Sequence, residues 1–293
     1  MKKFNNNQIV CNTLTDVENK INNQISHFSQ NVFRGLPDSN YELISSVEQN
    51  IKNKYNAINC VKRLSQQLKD DLVQHKMENQ IYTDSFNYPK PNYKNEWLFL
   101  AQAQHLRIPT MLMDWSIDWK KALFFAVFDM NNLYKSGALW ILNSSGISNT
   151  FEDDLLGENS IYYANPYNYC GAPRLINLSI DCNSLSYLPI QRIRFQDGRF
   201  LITSLKERFN ALEYMNDFNN RLTKIEITPN CKMEIMNLYL LSREVPKYIA
   251  GLPGVEFIDN KYYRKYDEAF FYGCTDQTLD KIINKIRKNE GFA

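Results

Sequence analysis

Residues 111–128 are Met-Leu-Met-Asp-Trp-Ser-Ile-Asp-Trp-Lys-Lys-Ala-Leu-Phe-Phe-Ala-Val-Phe. The first six residues join apolar side chains to one carboxylate, so this segment has to be buried or has to form a site. From Asp118 to Tyr134 the apolar spacing predicts a helix. Ser116 or Asp118 is the expected N-cap, because short polar side chains accept hydrogen bonds from the free N–H groups of a first helical turn.

Strands and further helices surround this stretch. Residues 137–143 are predicted to form a continuous apolar strand of the kind found inside a sheet, and residues 96–107 a helix that ends before Pro109. Further along, the pattern predicts a helix at 205–218 and a half-exposed strand at 222–228. Helices and strands follow one another without a regular βαβ rhythm, which predicts an α+β fold with mixed small sheets and packed helices.

The chain divides into a short N-terminal segment and one main domain. Residues 1–29 are predicted to be helical, and residues 30–293 to form the α+β domain. Asn-Pro, Gly and Pro signals concentrate at about 145–190, so this stretch is predicted to be a variable insert.

Composition excludes several classes of protein. The 293 residues are 44% hydrophobic and 13% aromatic, which excludes a disordered chain. Because 34 Lys and Arg oppose 32 Asp and Glu, only a local basic patch could attract nucleic acid. The longest apolar run is too short to span a bilayer and the N-terminus lacks a signal segment, so we expect a cytoplasmic protein without a membrane partner.

Cysteine and histidine usage gives no metal signature. The six cysteines contain no Cys-x-x-Cys pair, and none of the three histidines lies at ligand spacing from another. Reduced thiols and no structural metal are therefore expected.

Four short motifs resemble the FRG domain family, over about residues 30–204. They are Phe33-Arg-Gly35, Ala103-Gln-His-Leu-Arg-Ile-Pro-Thr110, Leu112-Met-Asp-Trp-Ser116 followed by Ala122-Leu-Phe-Phe-Ala126, and Phe195-Gln-Asp-Gly-Arg-Phe200. The chain departs from the family at Arg107, where a glycine is usual. The order of the motifs, with the second and third nearly contiguous, makes the resemblance specific.

A weaker resemblance links the strand-borne Phe-Arg-Gly to one branch of the ADP-ribosyltransferases. It implies an ADP-ribosyltransferase-like architecture, NAD as cofactor and a bacterial phage-defence or toxin setting, with Arg34 contacting the NAD phosphates. Ser116 or Thr110 would then shape the nicotinamide pocket. The glutamate of those enzymes has no counterpart in Gln196-Asp-Gly198, so it would come from elsewhere, with these candidates: Glu207, Glu213 and Glu268.

Arg34 and His105 each admit two interpretations. The Arg34 guanidinium suits bidentate binding of a phosphate, and Gly35 beside it lets a ligand approach the backbone. The alternative is an ion pair of Arg34 with Asp114 or Asp118. His105 is a candidate general acid or base oriented by Asp114. Alternatively, it is simply the last residue of a helix, where its ring interacts favourably with the helix macrodipole.

The remaining candidates belong to turns and to a helix start. Trp115 either stacks on a base or nicotinamide ring or is buried in the core, and in either case Asp114 or Ser116 caps the next helix. Gln196 could donate amide hydrogen bonds to a ribose, while Gly198 allows a turn with positive φ.

The sequence thus predicts a nucleotide-handling enzyme, ADP-ribosyltransferase-like and NAD-dependent, with a protein or nucleic-acid acceptor left open. A non-enzymatic binding module for a phosphate-bearing ligand and an RNA-cleaving toxin are the alternatives. The predicted catalytic residues are His105, Asp114 and Ser116, and the predicted cofactor-binding residues are Arg34, Gly35, Thr110, Trp115, Gln196 and Gly198.

Overall fold

The computed structural model describes twelve ranges of the chain. They are residues 8–27, 30–51, 54–76, 93–150, 161–177, 198–204, 210–218, 220–242, 244–245, 255–258, 261–264 and 277–289. The α-helices in these ranges are α1 Leu14–His27, α2 Ser46–Asn50, α3 Lys54–Gln74, α4 Lys94–His105, α5 Trp119–Val127, α6 Pro229–Ser242 and α7 Gln277–Asn289.

The strands form one large and one small sheet. They are β1 Gln8–Cys11, β2 Asn31–Leu36, β3 Met113–Ser116, β4 Gly137–Asn143, β5 Ser148–Thr150, β6 Arg174–Ile176, β7 Gly198–Ile202, β8 Leu222–Ile227, β9 Glu244–Val245, β10 Val255–Ile258 and β11 Lys261–Arg264.

The large sheet has eight strands in the order β1-β8-β4-β2-β3-β7-β6-β5, and the small sheet is β10-β11-β9. In the large sheet β1 pairs parallel with β8 and β5 parallel with β6, whereas the other neighbours are antiparallel. This mixed sheet with packed helices confirms the predicted α+β class. The likeness to ADP-ribosyltransferase architecture stays a prediction, as does the division into two segments.

Strand β4 lies inside the sheet, between β8 and β2, and is buried on both faces. Leu139 and Ile141 face one apolar cluster, which includes residues of α1, α5 and α6. Trp140 and Leu142 face a second cluster on the opposite side. Successive side chains of a strand point to opposite faces, so a strand between two cores has to be apolar throughout.

A third apolar cluster joins α3, α4 and α7 to the β6–β7 end of the sheet. Leu64 of α3, Trp97 of α4 and Ile286 of α7 meet there, and Phe200 of β7 belongs to the same cluster. This layer holds the C-terminal end of α4 against β7.

Helix α5 is shorter than the helix predicted at 118–134. Asp118, one of the two residues expected as N-cap, is the N-cap of α5, and its carboxylate accepts a hydrogen bond from Lys120 N. The helix ends at Val127 because Phe128 has a non-helical backbone, and Asp129 then starts a separate 3-10 turn. Apolar spacing continues past the end, so the sequence alone did not show the break.

The helix predicted at 205–218 is also not formed in its described part. Leu212–Tyr214 is a single 3-10 turn, and residues 205–209 lie outside the described ranges. The Leu212 N–H donates to the Leu43 carbonyl, which connects this segment to a distant loop.

Within the described ranges, no helix combines the length and the apolar character that crossing a membrane requires. The same ranges hold no group of three or more His, Cys, Asp and Glu residues placed to bind a metal ion.

Candidate functional site

Strands β2 and β3 are neighbours in the large sheet but pair at a single position. Both strands are fully described, and their register consists of the single pair Phe33 and Ser116. On the outer side of each strand the pairing is complete, with β4 along all of β2 and β7 along all of β3. The ladder is therefore open beyond Phe33, where Arg34 and Gly35 would otherwise oppose residues of β3.

The open ladder borders a cleft of about 280 Å³. It is lined by residues of β2, β3, the end of α4 and the side of α5. These residues are Phe33, Arg34, Gly35, Pro37, Gln104, His105, Arg107, Asp114, Trp115, Ser116, Ala122, Phe125 and Asp129. Six of the residues predicted from the sequence meet here: Arg34, Gly35, His105, Asp114, Trp115 and Ser116.

The Arg34 side chain crosses the gap between the two strands. Its Nη1 donates to the main-chain oxygen of Asp114, and its buried Nε has no hydrogen-bond partner in the described part of the chain. Burial lowers the pKa of Arg34, and the charge of the Asp114 carboxylate offsets part of this effect. An arginine remains protonated in a protein, so the cleft contains a half-buried cation.

The ion pair considered for Arg34 is replaced by this main-chain hydrogen bond. The Asp118 carboxylate is used as the cap of α5. The Asp114 carboxylate accepts instead from Gln104, whose Nε2 lies 3.0 Å from Asp114 Oδ2. No described carboxylate lies within ion-pair distance of Arg34.

The Asp114 carboxylate is held by a chain of hydrogen bonds that leads back into the core. Thr110 Oγ1 donates to Gln104 Oε1 at 2.6 Å, and Ser46 Oγ lies 3.3 Å from the same oxygen. Because Gln104 Oε1 is the acceptor for both hydroxyl groups, the NH2 group of Gln104 is directed at Asp114. Asp114 Oδ1 is buried and accepts no hydrogen bond from the described residues.

Thr110 therefore supports the cleft indirectly, through its hydrogen bond to Gln104. Its side chain is fully buried and does not line the cleft. The predicted role of Thr110 in a nicotinamide pocket would have to be exerted through Gln104.

His105 lies at the end of α4 and lines the cleft. It is 6% exposed, and its ring meets Phe200 edge to face with 5.7 Å between centroids. The partner that the structure gives to the Asp114 carboxylate is Gln104, the residue before His105. The general acid or base role of His105 stays a prediction.

Arg107 has a left-handed backbone, with φ of 61°. It follows α4, where Arg107 N donates to Gln104 O and Ile108 N donates to Ala103 O, the two hydrogen bonds of a Schellman motif. This motif favours glycine, since a left-handed L-residue costs roughly 1–2 kcal/mol. A cation near a helix C-terminus gains about 0.3–1 kcal/mol, which offsets part of this cost.

Trp115 and Ser116 are largely used by the fold. The Trp115 side chain is 2% exposed and packs in the cluster that contains Val32 and Trp140, which leaves little ring surface for a ligand. Ser116 Oγ accepts from Asp118 N and donates to Asp118 O, both at 3.0 Å, and so shapes the turn that precedes α5.

Two predicted residues are not among those that line the described cleft. Gly198 is buried in β7, where it pairs with Ser116, and Gln196 lies outside the described residues. Glu213, one of the candidate glutamates, is buried against the Leu43 N–H, and its burial raises the pKa of the carboxyl. Glu207 and Glu268 lie outside the described residues, so the carboxylates that line the described cleft are those of Asp114 and Asp129.

Seven lining residues were not predicted as site residues: Phe33, Pro37, Gln104, Arg107, Ala122, Phe125 and Asp129. Gln104 and Arg107 flank the predicted His105 and could have been found as its neighbours in the same motif. Phe125 belongs to an apolar helix and was interpreted as core, and Asp129 falls inside the helix predicted at 118–134, whereas in the structure it follows the end of α5.

The family model of the FRG domain matches residues 29–134. This match supports the FRG resemblance, and all thirteen lining residues of the cleft lie within the matched segment. No curated protein sequence and no solved structure matches the chain. The comparisons thus give no support to the likeness with ADP-ribosyltransferases.

Proposed function

We propose that the cleft binds a phosphate-bearing nucleotide of the NAD or ADP-ribose type, and that the protein is an ADP-ribosyltransferase-like enzyme. The observation that carries this proposal is the Arg34 guanidinium. It is a half-buried cation at the opening between β2 and β3, with a buried Nε that has no partner in the described part of the chain.

A phosphate is the ligand group that best fits Arg34. A desolvated cation is costly without a counter-charge, and the described residues supply no carboxylate at ion-pair distance. The guanidinium offers parallel N–H donors whose geometry matches a phosphate. An anionic ligand would therefore recover the cost of burying Arg34.

A ribose fits the acceptor next to Arg34. Asp114 Oδ1 is buried without a donor in the described part of the chain, and sugar hydroxyls are donors. The Asp114 main-chain oxygen already bonds Arg34, so the two groups are held together. A ligand that carries a phosphate beside a hydroxylated sugar satisfies both, and the cleft volume is near the lower end of small-molecule sites, about 300 Å³.

Carboxylates beside the sugar support the transfer chemistry. In ADP-ribosyl transfer the bond between ribose C1′ and the nicotinamide nitrogen breaks, nicotinamide leaves neutral, and an acceptor oxygen or nitrogen bonds to C1′ and loses its proton. The negative charge of Asp114 would stabilise the oxocarbenium-like sugar, and Asp129 offers a second carboxylate in the same cleft. A phage-defence or toxin setting is part of this proposal, and identifying the molecule that accepts the ADP-ribose tests it.

A binding module without turnover is the second candidate. It is favoured by the absence of a glutamate among the described lining residues and by the packing of His105 against Phe200. Such a module would use Arg34 and Asp114 in the same way and would not cleave the ligand.

Calorimetry with ADP-ribose, NAD and inorganic phosphate tests binding, with Arg34→Gln as the variant. Arg221→Gln is the matched control, because Arg221 also donates to a main-chain oxygen, that of Ser145, but lies away from the cleft. Binding of ADP-ribose that is lost in R34Q and kept in R221Q supports the proposal. No binding of either nucleotide by the wild type contradicts it.

Release of nicotinamide from NAD separates the two candidates. The enzyme is expected to release nicotinamide or to transfer ADP-ribose to an acceptor, and Asp114→Asn should remove this turnover while ADP-ribose still binds. Tight binding of NAD without any release in the presence of cell extract as a source of acceptors assigns the cleft to a binding module.

A further inference from the structure

Arg107 is the second arginine of the cleft, and it comes from a different part of the chain. Arg34 projects from β2 and is half-buried, whereas Arg107 follows the end of α4 and is exposed. The cleft therefore offers one cation in its interior and another at its rim.

The backbone at Arg107 favours a different residue. The hydrogen bonds that end α4 require a left-handed conformation at this position, and φ is 61°. Glycine adopts this conformation without strain, whereas the Cβ of an arginine makes it costly. Strain that persists beside a cleft points to a use for the side chain that causes it.

We propose that Arg107 binds the second phosphate of a diphosphate ligand, so that the cleft selects diphosphate nucleotides such as ADP-ribose over monophosphates such as AMP. This inference rests on the proposed function, in which Arg34 binds a phosphate in the same cleft. Two guanidinium groups at different depths suit two successive phosphates, because each can form charge-assisted hydrogen bonds to its own phosphate.

The test compares ADP-ribose with AMP on the wild type, Arg107→Gly, Arg107→Ala and Arg34→Gln. Both R107G and R107A should weaken ADP-ribose binding about tenfold or more, while AMP binding changes by less than about twofold. R34Q should weaken both ligands. Thermal unfolding separates the backbone from the charge, because R107G should raise Tm by about 2 °C or more and R107A, which keeps the Cβ, should not.

Equal losses of ADP-ribose and AMP in R107G, or wild-type binding of both ligands in R107G and R107A, would overturn the inference. If R107G and R107A bind both ligands as the wild type does but R34Q still loses both, the proposed function stands and only the role of Arg107 fails. If the wild type binds neither ligand, the proposed function fails and the inference fails with it. An R107G protein with an unchanged Tm would contradict the strain argument on which the inference depends.

Discussion

A β-carbon at Gly35 would lie 1.9 Å from the carbonyl oxygen of Ala122 and 2.7 Å from Ala126 N. Strand β2 and helix α5 therefore touch through their main chains, at the residue next to Arg34. The glycine of the Phe-Arg-Gly motif is required by packing, because both neighbouring atoms belong to a helix backbone that cannot move independently.

Gly35→Ala should destabilise the protein by at least about 3 kcal/mol, since α5 has to shift away from β2 to admit the methyl group. Urea unfolding measures the change. Gly146→Ala is the control, because Gly146 has a φ of 75° but its nearest atom in the direction of a Cβ is 3.8 Å away. G146A should cost only about 1 kcal/mol from its backbone, and an equal cost in the two variants would contradict the close approach.

Gln104→Glu should make ligand binding depend on pH. The substitution places a second carboxylate beside Asp114 Oδ2, where Gln104 Nε2 now lies 3.0 Å away. Two carboxylates this close share a proton, so the apparent pKa of the pair rises, and the pair repels phosphate once both groups are ionised. The affinity of Q104E for ADP-ribose relative to the wild type should fall as pH rises, as measured by calorimetry.

Gln66→Glu is the matched control for Q104E, because Gln66 Nε2 donates to Asp70 Oδ1 at 2.8 Å on the exposed face of α3. This variant also places a carboxylate beside an aspartate, but away from the cleft. A pH dependence shared by Q66E and Q104E would argue against the assignment of Asp114 to the ligand site.

Cys231 and Cys170 should differ strongly in reactivity. Burial raises the pKa of the Cys231 thiol to about 12, and the nearby Glu234 acts in the same direction, whereas Cys170 is exposed. Because the thiolate is the reactive form, iodoacetamide at about pH 8 should modify Cys170 in the folded protein and Cys231 only in denaturant. Peptide mass mapping gives the order, and early labelling of Cys231 would contradict its burial.

Lys232 should contribute a pH-dependent term to stability. Its ammonium group is fully buried, donates to Pro37 O at 2.6 Å and Asn132 O at 3.1 Å, and has a pKa lowered by burial from 10.5. Between the lowered pKa and 10.5 the unfolded state binds more protons than the folded state, so stability rises with pH.

Lys232→Met removes this term, and the free energy of unfolding of the wild type minus that of K232M should grow as pH rises through that window. Urea unfolding at several pH values measures it. A difference that is constant over the window would show that burial does not shift the titration of Lys232.

The sequence predicted the elements well where the pattern is local. Strand β4 is a continuous apolar run, and its burial on both faces follows directly from that composition. The Phe-Arg-Gly motif also pointed to Arg34 and Gly35, both of which line the described cleft. The end of α5 was not predicted, because apolar side chains continue beyond Val127 and only the packing of the folded chain shows where the helix stops.

The sequence by itself determined the α+β class, the central strands and the motif that supplies Arg34, since these depend on residues close together in the chain. Tertiary structure alone decided that β2 and β3 separate after one residue pair, and that Arg34 bonds the main chain of Asp114, 80 residues away. It also decided that Gln104 holds the Asp114 carboxylate. Contacts of this kind depend on how sheets and helices pack. A local pattern of side chains does not indicate which distant residue a given side chain will contact.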